Sequence, residues 1–203
     1  MSDSPRLTEK EITPDPFVLF DNWYKTHLKF GSAIPDSVSL ATASSSGQVS
    51  VRTVLLKDYS EKGFTFFTNY KSKKGAQLDS NPNAALLFYW PENGRQVRIE
   101  GVVEKISEQE SVTYFHSRPR ESQISAWASE QSTSVPDRKY LEDRFAFFSE
   151  KFSGKEVDKP EYWGGFRIIP SWFEFWQDGE HRLHDRITYT GNNCLWITGR
   201  LAP

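Results

Sequence analysis

From residue 38 onward the chain is cut at short intervals by clusters of turn-forming residues. Ser44-Ser45-Ser46-Gly47, Glu61-Lys62-Gly63, Asn81-Pro82-Asn83 and Pro91-Glu92-Asn93-Gly94 leave only short runs between them, and Gly191-Asn192-Asn193 turns a last hairpin near the end of the sequence. Tight turns join neighbouring antiparallel strands, whereas parallel strands need a crossover of a dozen or more residues. Val38, Leu40 and Thr42 alternate in one run, so 38–42 is a strand, and 48–57 pairs with it as a hairpin. Further strands are predicted over 64–69, 84–90, 95–106, 165–169, 171–177, 182–190 and 194–200. Many short strands joined by tight turns predict a mainly β fold, a barrel with helices packed outside it.

The helices are marked by caps and by spacing. Thr13-Pro14-Asp15-Pro16 opens a helix in which Phe17, Phe20, Trp23, Tyr24 and Leu28 share a face, running to about Phe30 with Gly31 at its end. A short helix fits 72–80. Ser107 with Glu110 forms a capping box that opens 108–117. After Pro119 a helix is predicted over 121–129, and Val135-Pro136-Asp137 opens another with Tyr140, Leu141, Arg144, Phe145 and Phe148 on one face. Residues 1–13 are polar and without period, which predicts a mobile tail. No repeat or long linker divides 14–203, so one domain is expected there.

Composition removes several function classes. The 203 residues include 25 basic and 27 acidic side chains, a formal net charge of −2, which disfavours a strongly basic nucleic-acid binder. A single cysteine, Cys194, excludes an intrachain disulfide framework and a Cys-based zinc site, and four scattered histidines argue against a His-rich metal site. The lone Met is the first residue, no apolar signal region follows it, and the most apolar run, 84–90, is too short to span a bilayer. A cytoplasmic, membrane-free protein is expected. Seven Trp, eight Tyr and 15 Phe make up 15% of the chain, enough to build a core and also flat walls for a planar ligand.

Cationic residues recur where a ligand could use them. On a strand over 182–190, Arg182, His184 and Arg186 share one face, which suits either a bound anion or a solvated surface. Arg52 and Lys57 flank Thr53-Val54-Leu55-Leu56 and could reach phosphate oxygens. Five residues apart, they face opposite sides of a regular strand, so either a bulge intervenes or they serve different ligands. Ser72-Lys73-Lys74-Gly75 opens a helix whose N-terminal amides favour anions. Tyr114, Arg118 and Ser122, four apart, would share a face of a continuous helix and could cradle a second phosphate, while Gln131 and Ser132 add neutral donors. Gln96 and Arg98 face away from the core. No dinucleotide fingerprint, P-loop, nucleophile elbow or zinc-protease motif is present. The pattern suits a planar, phosphorylated ligand.

These segments, taken in order, resemble the pyridoxamine 5′-phosphate oxidase family. The blocks that carry the resemblance are Arg52-Thr53-Val54-Leu55-Leu56-Lys57, Asn81-Pro82 with Phe88-Tyr89-Trp90, and Arg95-Gln96-Val97-Arg98-Ile99-Glu100-Gly101. Tyr114-Phe115-His116-Ser117-Arg118-Pro119-Arg120-Glu121-Ser122-Gln123-Ile124, Trp163-Gly164-Gly165, Glu174-Phe175-Trp176-Gln177, Arg182-Leu183-His184-Asp185-Arg186 and Arg200-Leu201-Ala202-Pro203 complete them. The resemblance implies an FMN-binding split β-barrel that forms a homodimer with FMN between subunits. It implies FMN contacts from Arg52, Thr53, Val54, Leu55, Leu56, Lys57, Phe67, Thr68, Lys73, Lys74, Gln96, Gln131, Ser132, Trp176 and Arg186. Lys57, Tyr114, Arg118 and Ser122 would hold the substrate phosphate, and Arg182, Leu183 and His184 the pyridine ring, with Arg182 and His184 at the reacting carbon. Arg52 and Lys57 would then serve different ligands. The implied reaction oxidises pyridoxamine or pyridoxine 5′-phosphate to the aldehyde by hydride transfer from C4′ to flavin N5, and dioxygen reoxidises the flavin to give hydrogen peroxide. The alternatives are a flavin-binding split barrel with another substrate and a non-catalytic carrier of pyridoxal 5′-phosphate. The chain departs from the family in three places. Residues 1–13 hold Arg6 but no Tyr, so the family's Arg-x-x-Tyr lid segment is absent there; Lys73 stands where Arg is common; and the last hairpin is short.

Overall fold

The computed structural model describes residues 6–8, 10–192 and 195–203. Among these, nine strands form a single antiparallel sheet. The strands are β1 (Ser37–Ala43), β2 (Val49–Leu55), β3 (Asp58–Ser60), β4 (Gly63–Asn69), β5 (Asn83–Trp90), β6 (Arg95–Lys105), β7 (Trp163–Gln177), β8 (Asp185–Asn192) and β9 (Leu195–Arg200). The order β2-β1-β5-β6-β7-β4-β3 is extended by β8 on β7 and β9 on β8. The mainly β architecture with helices around a curled sheet is thus the one expected. The expected turn at Gly191-Asn192-Asn193 and the strand start at Cys194 fall partly outside the described residues.

Among the described residues, five α-helices pack around the sheet: α1 (Pro16–Leu28), α2 (Lys73–Ser80), α3 (Glu108–Ser117), α4 (Arg120–Ala128) and α5 (Arg138–Lys151). Asp15 caps α1, Ser72 caps α2, and Ser107 with Glu110 closes the capping box on α3. The apolar face of α1 supplies the core. Phe20 makes edge contacts with Tyr59, Phe64 and Phe88 at 4.9–5.1 Å between centroids, and Trp23 meets Phe175 at 5.3 Å. A second cluster of Phe115, Ile124, Phe152, Val157 and Trp163 lies under α3–α5. No helix among the described residues is long and apolar enough to cross a membrane.

Three expectations are corrected. The described part of residues 1–13 packs on the sheet instead of trailing from it. Leu7 is 3% exposed, its N–H donates to Asp185 at 3.2 Å, and the Thr13 carbonyl accepts from the Tyr189 hydroxyl at 2.7 Å. Two apolar side chains in a polar stretch, Leu7 and Ile12, pack against the core. Residues 163–177 form one strand where two were predicted. Pro170 has no N–H to donate, but it sits at a bulge where the register against β6 shifts between Glu100 and Gly101, so the ladder continues past it. Finally, β8 begins at Asp185. Arg182 ends a single 3-10 turn, Glu180–Arg182, in which His181 and Arg182 have φ of 55° and 65°. Such left-handed backbone cannot continue a strand, so Arg182 and His184 do not share a strand face with Arg186.

Candidate functional site

A cleft of about 550 Å3 opens between β2, β4, α2, α3 and the start of the loop after α4. Alternation along β2 turns Arg52 inward, opposite Leu40 of β1. Its guanidinium donates to the Leu40 carbonyl at 3.1 Å, to Thr42 Oγ1 at 2.7 Å and to Gln77 Oε1 at 3.3 Å. Three neutral acceptors fix the fork without cancelling its charge, so it remains available to an anion. The Ser72 cap turns Lys74 into the same cleft. Its ammonium donates to Thr68 Oγ1 and to Gln131 Oε1, each at 3.0 Å. The residue is only 9% exposed, and burial, helped by the nearby Arg52, lowers its pKa to about 8. Arg52 and Lys74 form one cationic station.

The same cleft is walled by aromatic rings and lined by a further cation, Arg118. Phe67 of β4 stacks on Tyr114 of α3 at 3.9 Å and on Trp163 at 5.4 Å. The Arg118 guanidinium sits 4.6 Å above the Trp163 ring, and its Nη1 is buried without any hydrogen-bond partner. A buried unpaired guanidinium nitrogen is costly and marks a place where an anion would be stabilised. Lys57 lines the same cleft and pairs with Asp36. Because β2 ends at Leu55 and β3 begins at Asp58, Arg52 and Lys57 do not lie on one strand, and their parity has no bearing.

The expected residues divide into three groups. Arg52, Thr53, Val54, Leu55, Lys57, Phe67, Thr68, Lys74, Tyr114, Arg118 and Gln131 line the cleft. Leu56 is buried in the core, Lys73 is exposed, and Ser132, with φ of 74°, is next to the cleft-lining Gln131 but is not part of the lining. Ser122 does not line the cleft either. The chain breaks at Pro119 into two helices as predicted, with Arg118 extended at ψ 152° as the residue before Pro119 requires, so Ser122 belongs to α4 and does not share a continuous helix face with Tyr114. From α4, Ser125 and Ala126 reach the cleft, with Ser129 just beyond it. The third group lies elsewhere on the sheet. Gln96, Trp176 and Arg186 are register neighbours across β6, β7 and β8, and the His184 ring lies 4.6 Å from Trp176. His184 Nδ1 accepts from the Gly179 N–H at 3.2 Å, and Leu183 is exposed. None of this group, nor Arg182, lines the cleft of its own chain.

Several residues escaped sequence reasoning. Thr42 and Gln77 hold Arg52, and Asp36 holds Lys57; no local pattern connects such distant partners. Asn69 and Trp163 also line the cleft. Trp163 did carry a signal in the following Gly pair, since a Cβ on Gly164 would lie 2.1 Å from the Tyr70 hydroxyl.

A family model described as Pyridoxamine 5′-phosphate oxidase matches residues 32–151, and one described as the pyridoxine 5′-phosphate oxidase C-terminal dimerisation region matches residues 163–203. A protein of a Nostoc species named pyridoxine/pyridoxamine 5′-phosphate oxidase is 48% identical over 198 residues, spanning 97% of this chain and 92% of its own. The crystal structure of PhzG from Burkholderia lata, in complex with tetrahydrophenazine-1-carboxylic acid, superposes with a TM-score of 0.90 at 29% identity, covering 97% of this chain and 98% of that one. A pyridoxamine 5′-phosphate oxidase-related, FMN-binding protein from Nostoc punctiforme superposes with a TM-score of 0.73 at 15% identity, covering 95% and 100%, and shares the fold.

Proposed function

The chain belongs to the pyridoxamine 5′-phosphate oxidase family, and from that premise we propose that it is an FMN-dependent oxidase converting pyridoxamine or pyridoxine 5′-phosphate to pyridoxal 5′-phosphate in the cytoplasm. The observation that carries the reading is one cleft lined by Arg52 and Lys74 and also by Arg118 and Lys57, with Phe67 and Tyr114 stacked in its wall. A phosphorylated cofactor and a phosphorylated substrate that react with each other need two anion sites with a flat space between them. The residues fit FMN. Arg52 and Lys74 would hold its phosphate, and Phe67, Thr68 and Gln131 would line it. When bound, FMN supplies a two-electron acceptor, with dioxygen as the final oxidant.

The chain's own residues bind and orient. Arg118, whose buried Nη1 lacks an acceptor, takes the substrate phosphate. Arg182 and His184 hold the pyridine ring with its C4′ carbon in reacting position, where small displacements are costly. These two residues, with Gln96, Trp176 and Arg186, come from a second copy of the chain. Three features support that arrangement: their distance from the cleft in the fold, the location of Trp176, Arg182, His184 and Arg186 inside the region matched to dimerisation, and the exposed apolar edge strand β2. On that strand Val49 and Val51 are 79% and 70% exposed.

The likeness to PhzG favours a second reading, a flavoprotein acting on a carboxylated polycyclic ring. The higher identity to a protein named pyridoxine/pyridoxamine 5′-phosphate oxidase, 48% against 29% to PhzG, favours the phosphorylated substrate. Adding pyridoxamine 5′-phosphate to the FMN-loaded protein without oxygen should bleach the flavin absorbance, and admitting air should restore it. Flavin that stays oxidised with saturating pyridoxamine and pyridoxine 5′-phosphate contradicts the proposal.

A further inference from the structure

Glu174 lies in the middle of β7 and is 1% exposed. A carboxylate so buried persists only when paired. It is paired on both sides. Arg98, its register partner on β6, donates from Nη1 at 2.9 Å, and Arg186 on β8 donates from Nε at 2.5 Å. Arg98 also donates to Glu100 at 2.7 Å and lies 5.0 Å from the Trp172 ring. Charges therefore alternate in sign across three strands, from Glu100 through Arg98 and Glu174 to Arg186. Arg186 is gripped from its other side by the chain terminus. Its Nη1 donates to the Ala202 carbonyl at 2.8 Å, and its own carbonyl accepts from the Leu201 N–H at 2.9 Å. Among the described residues, Nη2 is the guanidinium nitrogen left for a ligand. Trp176, two residues beyond Glu174, shares its strand face and is the register partner of Arg186.

We propose that Glu174 is a positioning residue for the flavin site, holding Arg186 in place and setting, in opposition to Arg98, how much positive charge Arg186 presents to the cofactor. The proposal rests on the assignment of Arg186 to FMN. Two-electron reduction leaves flavin more negative, so positive charge nearby favours the reduced form. Glu174 subtracts from the field of Arg186, and Arg98 subtracts from that of Glu174. Neutralising the two residues should therefore move the flavin equilibrium in opposite directions, although both changes weaken the same stretch of sheet. A carboxylate with a purely structural role would lower stability in both variants and produce no such opposition.

The test measures the midpoint potential and FMN dissociation constant of the holoprotein and its Glu174→Gln, Glu174→Asp and Arg98→Gln variants. Glu174→Gln should favour reduced flavin by roughly tenfold, which is about 30 mV for a two-electron couple, and should bind FMN more weakly because Arg186 loses its anchor. Arg98→Gln should shift the equilibrium the other way by a smaller factor. Glu174→Asp, which keeps the charge and loses reach, should restore the native potential with weakened FMN binding. Potentials that stay native in both neutralised variants, or that move in the same direction, overturn the proposal. If Glu174→Gln does not fold, an unchanged potential in Arg98→Gln overturns it alone. A wild-type protein that does not bind FMN overturns the underlying functional reading, and this proposal with it.

Discussion

At Lys74, burial and the neighbouring Arg52 bring the ammonium pKa down to about 8. The unfolded lysine keeps its proton up to about pH 10.4. Between these values the unfolded chain binds more protons than the folded one, so this group makes the ligand-free protein more stable as pH rises through that window. Below about pH 8 the buried charge costs stability in the absence of an anion. The same charge is what a phosphate uses, so FMN affinity should fall as pH rises above about 8. Lys74→Met should bind FMN weakly at every pH and remove most of that dependence, as read by flavin fluorescence titration across a pH series. A variant with the wild-type slope would assign the dependence to another group. The cationic residue types at this site stood out in the sequence only as anion candidates that a solvated surface explains as well, as exposed Lys73 shows. The network that fixes them was not legible, since Thr42 and Gln77 lie 35 residues apart and meet only in the fold.

At the scale of elements, α2 is held to its place by a glycine. A Cβ on Gly75 would lie 2.0 Å from the Tyr70 carbonyl oxygen, which belongs to backbone and cannot swing away. Gly75→Ala should therefore shift the helix that carries Lys74 and Gln77. The expected cost is roughly 1–3 kcal/mol, read as Tm falling by about 2–4 °C per kcal/mol, together with weaker FMN binding. Unchanged Tm and affinity would mean that α2 tolerates the displacement. Turn clusters and caps made most elements legible, because Gly, Asn, Pro and Ser act locally on the backbone. The misreadings share a cause. Alternation of Arg182, His184 and Arg186 imitates a strand, but two residues at positive φ interrupt it, and Pro170 imitates a break, but a bulge absorbs it. Both outcomes depend on partners across the sheet that the local sequence does not specify.

For the whole molecule, the two matched regions are joined by one sheet, since β7 pairs with both β4 and β6, and the cleft holds only half of the expected site residues. Two copies would complete two sites. Val51→Asp, on the exposed face of β2, should leave the monomer folded by circular dichroism, shift the protein to monomer in sedimentation velocity and release FMN in the same samples. A monomer retaining stoichiometric FMN would contradict the shared site. If one cleft holds two phosphates at separate places, as proposed, Arg118→Ala should affect one and spare the other. Removing a charge-assisted bond of about 1.5–3 kcal/mol should weaken substrate binding by roughly 10- to 150-fold. On the same protein, equilibrium titration should find the FMN dissociation constant unchanged. Loss of FMN with substrate affinity intact would mean that the two stations have been assigned the wrong way round.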